Sequence, residues 1–172
     1  MVKIVQKENE VLHQPAGEVP KALFGSAKLK KIIADMSTAL AREDDGVALA
    51  APQIALPLKI FVVSGKIFTK ENDLAEGKAK PDLVFINPEL TNLSKTKQAM
   101  EEGCLSVRWL YGEVKRSTKA TVTAYDINGK KFTRSGSGLL AQIFQHEMDH
   151  LSGVLFTDKT KEVKEYTPPH QP

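Results

Sequence analysis

Two histidines four residues apart, with a glutamate directly after the first, place the tightest constraint on how this chain can fold. His146, Glu147 and His150 lie in residues 139–151, where apolar side chains recur at helical spacing. Side chains at positions i and i+4 of a helix lie on one face, about one turn apart. The sequence therefore predicts a buried helix, ended by Gly153, that carries two imidazoles able to bind one divalent ion.

The chain has a single cysteine, Cys104, which lies far from the histidines in a Glu-Gly-Cys-Leu-Ser run at 102–106. No disulfide can form within the chain, so a disulfide-stapled secreted scaffold is excluded. Taken alone, a lone cysteine is most often a buried structural thiol. Together with His146 and His150 it would complete three ligands, which leaves a fourth position open for water, as in catalytic metal sites.

Three blocks in this order resemble the peptide deformylase family, whose members remove the N-formyl group from the initiator methionine of new bacterial and organellar proteins. The blocks are Gly-Val-Ala-Leu-Ala-Ala-Pro-Gln at 46–53, the cysteine run at 102–106, and Gln-His-Glu-Met-Asp-His-Leu-Ser-Gly at 145–153. Many zinc proteases share the His-Glu-x-x-His part but do not combine it with the other two blocks. The resemblance extends over about residues 2–158.

The residue types indicate a hydrolytic site. A metal held by Cys104, His146 and His150 would lower the pKa of its bound water, and Glu147 would carry the proton from that water to the departing amine. Thiolate and imidazole ligands suit Zn²⁺ without excluding Ni²⁺ or Co²⁺, whereas the resemblance favours Fe²⁺ in the cell.

The resemblance also implies which groups stabilise the negative oxygen that forms during attack. These are the side-chain amide of Gln53 and the backbone N–H of Leu105. On its own, Gln53 would be read as a turn residue after Pro52. The metal-bound imidazoles should each have an acceptor for the second ring N–H, and the candidates are Glu102, Gln145 and Asp149.

Substrate contacts follow from the resemblance as well. Gly46, Val47 and Ala48 should hydrogen-bond the peptide in the manner of a neighbouring strand, and Gly103 should also lie against the substrate. Helix geometry places two apolar side chains on the same face as His146, one and two turns earlier, so together with Val47 they should form the methionine pocket. These two are Leu139 and Ile143. Gln142 would either make this pocket more polar or face solvent.

The chain departs from the family pattern at two places. Ala48 stands where the first block usually has a second glycine, so its methyl group narrows the approach of a peptide. Arg108 and Trp109 stand where the family commonly has a Pro-Gly pair. These two residues add bulk, charge and a flat apolar ring at the entrance of the site. They predict that the preference for substrate residues after methionine is altered.

Length and composition predict a single domain over residues 1–172. Lys and Arg outnumber Asp and Glu by only 24 to 21, which does not favour nucleic-acid binding. The start lacks the apolar region of a secretion signal, and no run approaches the length of a membrane span, so the expected location is the cytoplasm without membrane attachment. Expected partners are N-formylmethionyl nascent peptides, with transient association with the ribosome.

The predicted fold class is α+β, with antiparallel strands packed around one central metal-binding helix. Outside that helix, we expect an exposed insertion at 64–81 and a flexible tail at 160–172. The remaining predicted elements are a helix at 26–42 and strands at 59–64, at 82–87 ended by Pro88, at 114–126, and at 130–134 after an Asn128-Gly129 hairpin turn.

Three functions compete on this sequence. The first is a metal-dependent deformylase that releases formate, the second is a metalloprotease or other amide hydrolase, and the third is a catalytically silent deformylase paralogue. Cys104 weakens the protease interpretation, because proteases with a His-Glu-x-x-His helix usually take a third histidine or glutamate as ligand. The presence of every proposed catalytic residue weakens the third.

Overall fold

The computed structural model describes residues 2–166, which form three α-helices, eight β-strands and several short 3-10 turns. In chain order the helices and strands are α1 (Ala27–Ala41), β1 (Ala48–Ala50), β2 (Ile60–Val63), α2 (Glu71–Ala75), β3 (Leu83–Leu93), β4 (Lys97–Gly103), β5 (Leu110–Ser117), β6 (Lys119–Tyr125), β7 (Lys131–Ser137), α3 (Leu139–Leu151) and β8 (Val163–Glu165). None of the helices in this range is long and apolar enough to cross a lipid bilayer.

The strands form two antiparallel sheets. The larger sheet has the order β1-β2-β3-β6-β7, and the smaller one has the order β4-β5-β8. Alternate residues of β6, namely Ala120, Val122 and Ala124, are buried, as the apolar alternation in the sequence predicts. The turn between β6 and β7 has Gly129 at a positive φ of 82°, which confirms the predicted Asn-Gly hairpin.

Helix α1 covers one side of the larger sheet. Ser26 caps it by accepting a hydrogen bond from the N–H of Leu29 at 3.2 Å. Its buried face packs on β1 and β2 through residues at helical spacing, which confirms the helix predicted at 26–42. These residues are Leu29, Ile33, Met36 and Leu40.

Helix α3 lies in the centre and contacts strands of both sheets. Its Phe144 packs edge-on against Phe85, with ring centroids 5.4 Å apart, and Phe85 stacks on Phe61 at 4.5 Å. The interaction between the two rings of such a pair stabilises the fold beyond the free energy gained by burying them. This aromatic core fixes the position of α3 against the larger sheet. The predicted α+β fold, with antiparallel strands packed around a central helix, is confirmed.

The strand predicted at 114–126 is two strands in two different sheets. The break falls at Thr118. Just before it, the N–H of Ser117 donates to the side chain of Gln145 and the carbonyl of Ser117 accepts from the same amide, both at 2.9 Å. A side chain from α3 thus replaces the neighbouring strand as the backbone partner, and the chain crosses between the sheets there. The prediction of one continuous strand was therefore wrong, because this partner lies 28 residues away.

Pro88 does not end its strand as predicted, since β3 continues to Leu93. The pairing of β3 with β6 shifts register between Ile86 and Glu89, and Asn87 has a φ of 47°. The Asn87 side chain bonds the backbone N–H and carbonyl of Val19 at 2.8 and 3.0 Å. A bulge accommodates a residue without an N–H inside a sheet, so proline is tolerated there.

Two segments differ from the sequence expectation. The insertion at 64–81 contains a 3-10 turn, Gly65–Phe68, and the short helix α2, although residues 70–80 are largely exposed as expected. The tail expected to be flexible at 160–172 includes β8, which pairs with β5. That expectation was wrong for 163–165, and residues 167–172 lie outside the described part of the chain.

Candidate metal centre

Helix α3 places His146 and His150 on one face, as their spacing predicts. Their ring centroids lie 4.9 Å apart at an interplanar angle of 74°. Leu151 and Phe144 are buried in the core of the larger sheet and anchor the helix, so the imidazoles have little freedom to move away from each other.

The residue after β4 brings the only thiol of the chain to these rings. Cys104 Sγ lies 3.2 Å from His150 Nε2, and the three candidate ligand atoms of Cys104, His146 and His150 all lie within 4.8 Å of one another. One sulfur and two imidazole nitrogens at this separation fit a single divalent transition metal. The structure brings the three side chains together, while their role as ligands stays a proposal.

The thiol is held in the form that binds metals. Burial alone would raise the pKa of Cys104, but the neighbouring His150 and His146 rings outweigh it and lower the pKa from 9.0 to about 5. A thiolate at neutral pH is the species that acts as a ligand.

Glu147 is buried beside the histidines and lines the same cavity. Its Oε2 atom has no hydrogen-bond partner among residues 2–166. Burial raises the pKa of this carboxyl from 4.5 to about 7, although His146 and His150 act in the opposite direction. A carboxyl with this pKa can both accept and release a proton near neutrality.

A buried ion-pair network supports the helix face that carries the ligands. Glu102 Oε2 lies 3.0 Å from His146 Nδ1, which leaves Nε2 of that ring for the centre. Arg116 bonds both oxygens of Glu102, at 2.7 and 2.8 Å, and Asp149 at 2.6 Å. Burial would raise the pKa of Glu102, but the bonds from Arg116 and His146 outweigh it and lower the pKa to about 2.

Only one of the three predicted acceptors contacts an imidazole. Glu102 does, whereas Gln145 bonds Ser117 and Asp149 bonds Arg116 and Lys159. The prediction was wrong for Gln145 and Asp149, because each has a closer partner on a strand or loop. His150 Nδ1 has no protein partner within the described range.

Gln53 is fixed in place rather than free in a turn. Its Oε1 accepts from the N–H of Ala50 at 2.8 Å, and its Nε2 donates to Ser106 Oγ at 3.2 Å and lies 3.5 Å from Cys104 Sγ. The side chain is almost fully buried and lines the cavity next to Leu105. Both groups implied as donors to a negative oxygen therefore lie beside the thiol.

A cavity of about 320 Å³ opens at this cluster. It is lined by all the residues expected to contact substrate: Gly46, Val47, Ala48, Gly103, Leu139 and Ile143. Gln142 also lines it and donates to the carbonyl of Glu101 at 2.7 Å. β1 is the edge strand of its sheet, and its first residue, Ala48, lines the cavity.

The sequence did not reveal several residues of the site. Arg116 and Tyr111 lie on β5. Gln6 lies before the first 3-10 turn, and its side-chain amide donates to the carbonyl of Leu105 at 3.1 Å. Asp45 binds Arg108 at the rim at 2.7 Å. A basic residue in an otherwise half-buried strand was the only available signal, and it pointed to Arg116 alone.

The chain is similar in sequence to proteins of one family. The family model described as polypeptide deformylase matches residues 1–166. Peptide deformylase 1A, chloroplastic/mitochondrial, of Arabidopsis thaliana is 42% identical over 163 residues, covering 91% of this chain and 60% of that protein. A peptide deformylase of Psychrobacter cryohalolentis is 41% identical, covering 81% and 70%. The chain spans about 60% of the length of the plant 1A relatives it matches.

Solved structures agree with the sequence relatives. A class I type b peptide deformylase from Acinetobacter baumannii superposes with a TM-score of 0.80 at 28% identity, covering 91% of this chain and 96% of that one. A peptide deformylase from Thermotoga maritima gives a TM-score of 0.80 at 31% identity, covering 94% and 99%. Family match, identity and fold agree over most of the chain, which therefore belongs to the polypeptide deformylase family.

Proposed function

We propose that this chain is a metal-dependent hydrolase that removes the formyl group from the N-terminal methionine of newly made polypeptides and releases formate. The observation that carries the proposal is the meeting of Cys104, His146 and His150 within 4.8 Å, with the buried carboxyl of Glu147 next to them. Membership of a family of metal-dependent deformylases supports it.

Cys104 Sγ and one ring nitrogen each of His146 and His150 would hold one divalent ion. When bound, the ion supplies Lewis acidity that makes water nucleophilic at neutral pH. We propose Fe²⁺ as the ion in the cell, and Zn²⁺, Ni²⁺ or Co²⁺ as ions that purified protein can hold, because a site of one thiolate and two imidazoles accepts all four.

Glu147 moves the protons of the reaction. Its carboxylate takes a proton from the water that attacks the formyl carbon and then gives a proton to the nitrogen that leaves as the free amine. The C–N bond of the formamide breaks, and the carbon departs as formate. The raised pKa of Glu147, about 7, suits a group that must accept and donate in the same cycle.

Attack on the formyl carbon creates a tetrahedral species with a negatively charged oxygen. We assign its stabilisation to the Nε2–H of Gln53 and the N–H of Leu105, which line the cavity beside Cys104. The hydrogen bonds to Ala50 and Ser106 hold the Gln53 amide before the substrate arrives. Donors placed in advance in a site that excludes water lower the barrier by about 3 kcal/mol each.

The peptide would extend along the backbone of Gly46, Val47 and Ala48, with its methionine side chain among Leu139, Ile143 and Val47. Gly103, which lines the same cavity, lets the Tyr111 ring pack closely, because a β-carbon there would lie 2.6 Å from a carbon of that ring. A related structure from Acinetobacter baumannii, 25% identical with a TM-score of 0.80, is described as Met-Ala-Ser bound. Association with the ribosome, absence of nucleic-acid binding and a cytoplasmic location stay predictions.

The test compares three peptides on metal-loaded, anaerobically prepared protein: formyl-Met-Ala-Ser, its acetyl analogue, and a longer blocked peptide. We expect formate and free amine from the formyl peptide alone. Cleavage inside the longer peptide would instead show a protease or general amide hydrolase. A protein that binds the metal and releases nothing from any peptide would be the silent paralogue, and the proposal would be wrong.

A further inference from the structure

A second cavity lies between the N-terminal segment, the end of α1 and the loop after β4. We call it the N-terminal cavity; its volume is about 250 Å³, against about 320 Å³ for the cavity beside Cys104. Ala39 and Leu105 line it from the core between α1 and the larger sheet, and Val2 and Ile4 pack against that core and complete the apolar lining. A lining of this kind and size suits a small apolar group.

The polar part of the N-terminal cavity is predominantly positive. Lys3, Arg42 and Arg108 line it, and the acidic residue of the lining is Glu43, which Arg108 already binds. Lys3 and Arg42 are exposed, and neither has an ion-pair partner among residues 2–166. The C-terminal end of α1 contributes roughly half a negative charge nearby, which is less than the charge of these two cations. The cavity therefore favours an anionic group.

The N-terminal cavity shares part of its lining with the proposed catalytic site. Leu105 and Arg108 line both cavities. Gln6 also lines the N-terminal cavity, and its amide donates to the carbonyl of Leu105 at 3.1 Å. A molecule in the N-terminal cavity would therefore contact the loop that carries the Leu105 N–H, the group assigned to the negative oxygen.

We propose that the N-terminal cavity binds small carboxylates with an apolar body, separately from the peptide substrate, and that its occupation slows formate release. The apolar body lies on the apolar lining, and the carboxylate faces Lys3 and Arg42. A carboxylate there also attracts Arg108 and competes with Glu43 for it. The loop after β4 then loses a contact with the end of α1, so the Leu105 N–H is held less precisely. The effect on formate release rests on the proposed function, whereas the binding does not.

The first experiment measures binding to metal-loaded protein with and without saturating product peptide, Met-Ala-Ser. The probes are phenylacetate, its neutral amide phenylacetamide, and acetate, which lacks the ring. Amide NMR signals of residues 2–6 and 39–43 should shift with phenylacetate, with a Kd of about 1 mM as suits a ligand of about ten non-hydrogen atoms. Both other probes should bind at least about tenfold more weakly, because each lacks one half of the recognition.

The location and the order of the probes decide the outcome. Shifts in these two segments that persist when Met-Ala-Ser is present support a separate site. Equal affinity for the three probes, no shift with phenylacetate, or shifts that vanish when the peptide is added would overturn the inference.

The second experiment assigns the anion to the two cations. Lys3→Gln/Arg42→Gln keeps the apolar lining, so the Kd for phenylacetate should rise about tenfold. The matched control is Lys28→Gln/Lys30→Gln, which removes two exposed lysines of α1 outside the cavity lining. Neither control lysine has an ion pair in the described range. An unchanged Kd in the first variant, or an equal rise in both, would refute the assignment.

The third measurement is formate release from formyl-Met-Ala-Ser at increasing phenylacetate. We expect kcat to fall at least about twofold at saturation with little change in KM, because the Leu105 N–H acts on the transition state. A rise in KM alone would show that phenylacetate competes with the peptide, and an unchanged kcat would refute the effect on catalysis. If no formate is released but the NMR shifts and their order hold, the proposed function fails and the binding site remains.

Discussion

At the scale of single residues, the chemistry is concentrated in side chains whose surroundings favour an unusual protonation state. Cys104 is held as a thiolate by two imidazoles, while Glu147 is pushed toward the neutral form by burial. These opposite effects act on neighbours in one cavity. The first suits a ligand and the second suits a proton carrier, which supports separate roles for the two residues.

Glu147→Gln separates these roles, because the amide keeps the shape and cannot carry a proton. We expect the metal content to be unchanged and kcat for formate release to fall by about 100-fold to 10,000-fold. Cys104→Ser should lose both metal and activity, since a hydroxyl is a poor ligand at neutral pH. Elemental analysis beside the formate assay checks both, and a fully active Glu147→Gln would remove Glu147 from the mechanism.

Asp45 gives a pH-dependent contribution to stability. Its hydrogen bond from Arg108 lowers the pKa of the carboxyl below 3.8, so its contribution is present above that pH and is lost as the pH falls through the lower folded-state value. Asp45→Asn should therefore cost up to about 1 kcal/mol at pH 7 and nothing once Asp45 is protonated. Urea unfolding of both proteins, at pH 7 and at a pH where Asp45 is protonated, measures this difference in the free energy of unfolding. A difference that increased in acid would contradict the assignment.

Some residues could be predicted from the sequence, because their relation is local or belongs to a family block. His146, Glu147 and His150 share one helix, and Cys104 and Gln53 lie in recognisable runs. Arg116, Gln6 and Tyr111 gave no comparable signal. Their contacts join segments that are distant in the chain, for example 99 residues for Gln6 and Leu105, and only the fold brings those segments together.

At the scale of elements, the N-terminal segment holds both groups proposed to bind the negative oxygen. The N–H of Val5 donates to the carbonyl of Gln53 at 2.9 Å, and the Gln6 amide donates to the carbonyl of Leu105. The same Gln6 side chain accepts from the N–H of Arg108 at 3.5 Å. The N-terminal segment therefore connects the 3-10 turn after β1, which carries Gln53, to the loop after β4, which carries Leu105.

Gln6→Ala should loosen that loop without touching the ligands. We expect kcat to fall about tenfold, KM to change less than twofold, and metal content to stay constant, because the Leu105 N–H acts on the transition state. Gln98→Ala, an exposed glutamine on β4, is the matched control. A change in KM alone would assign Gln6 to substrate binding instead.

The predictable elements were those with a strong local pattern. α1, α3 and the β6-β7 hairpin follow apolar periodicity, a capping serine or an Asn-Gly pair. β4 escaped notice because six of its seven residues are not buried, so its sequence resembles a polar loop. β8 is exposed throughout and forms only because β5 offers it an edge.

At the scale of the whole molecule, α3 connects the two sheets and carries two of the three candidate ligands, while the third follows β4 of the smaller sheet. A bound ion would thus join elements that separate on unfolding. We propose a single domain for this reason, since neither sheet alone completes the centre.

Metal should therefore raise the unfolding temperature of the entire chain. At a free metal concentration 100 times Kd the gain is about 2.7 kcal/mol, which corresponds to roughly 5–10 °C for a protein of this size. Differential scanning calorimetry with and without a chelator measures it, with Cys104→Ser as the control that should not respond. An equal shift in both proteins would place the stabilising ion elsewhere.

The position of Tyr166 beside Trp109 has a practical consequence for handling the protein. A purification tag fused after Pro172 begins within roughly 25 Å of Tyr166, because a chain spans at most about 3.6 Å per residue. A polyhistidine tag would then bring surplus imidazoles within reach of the cysteine-histidine cluster and compete for its ion. Metal titrations and affinity measurements are therefore best made after proteolytic removal of such a tag.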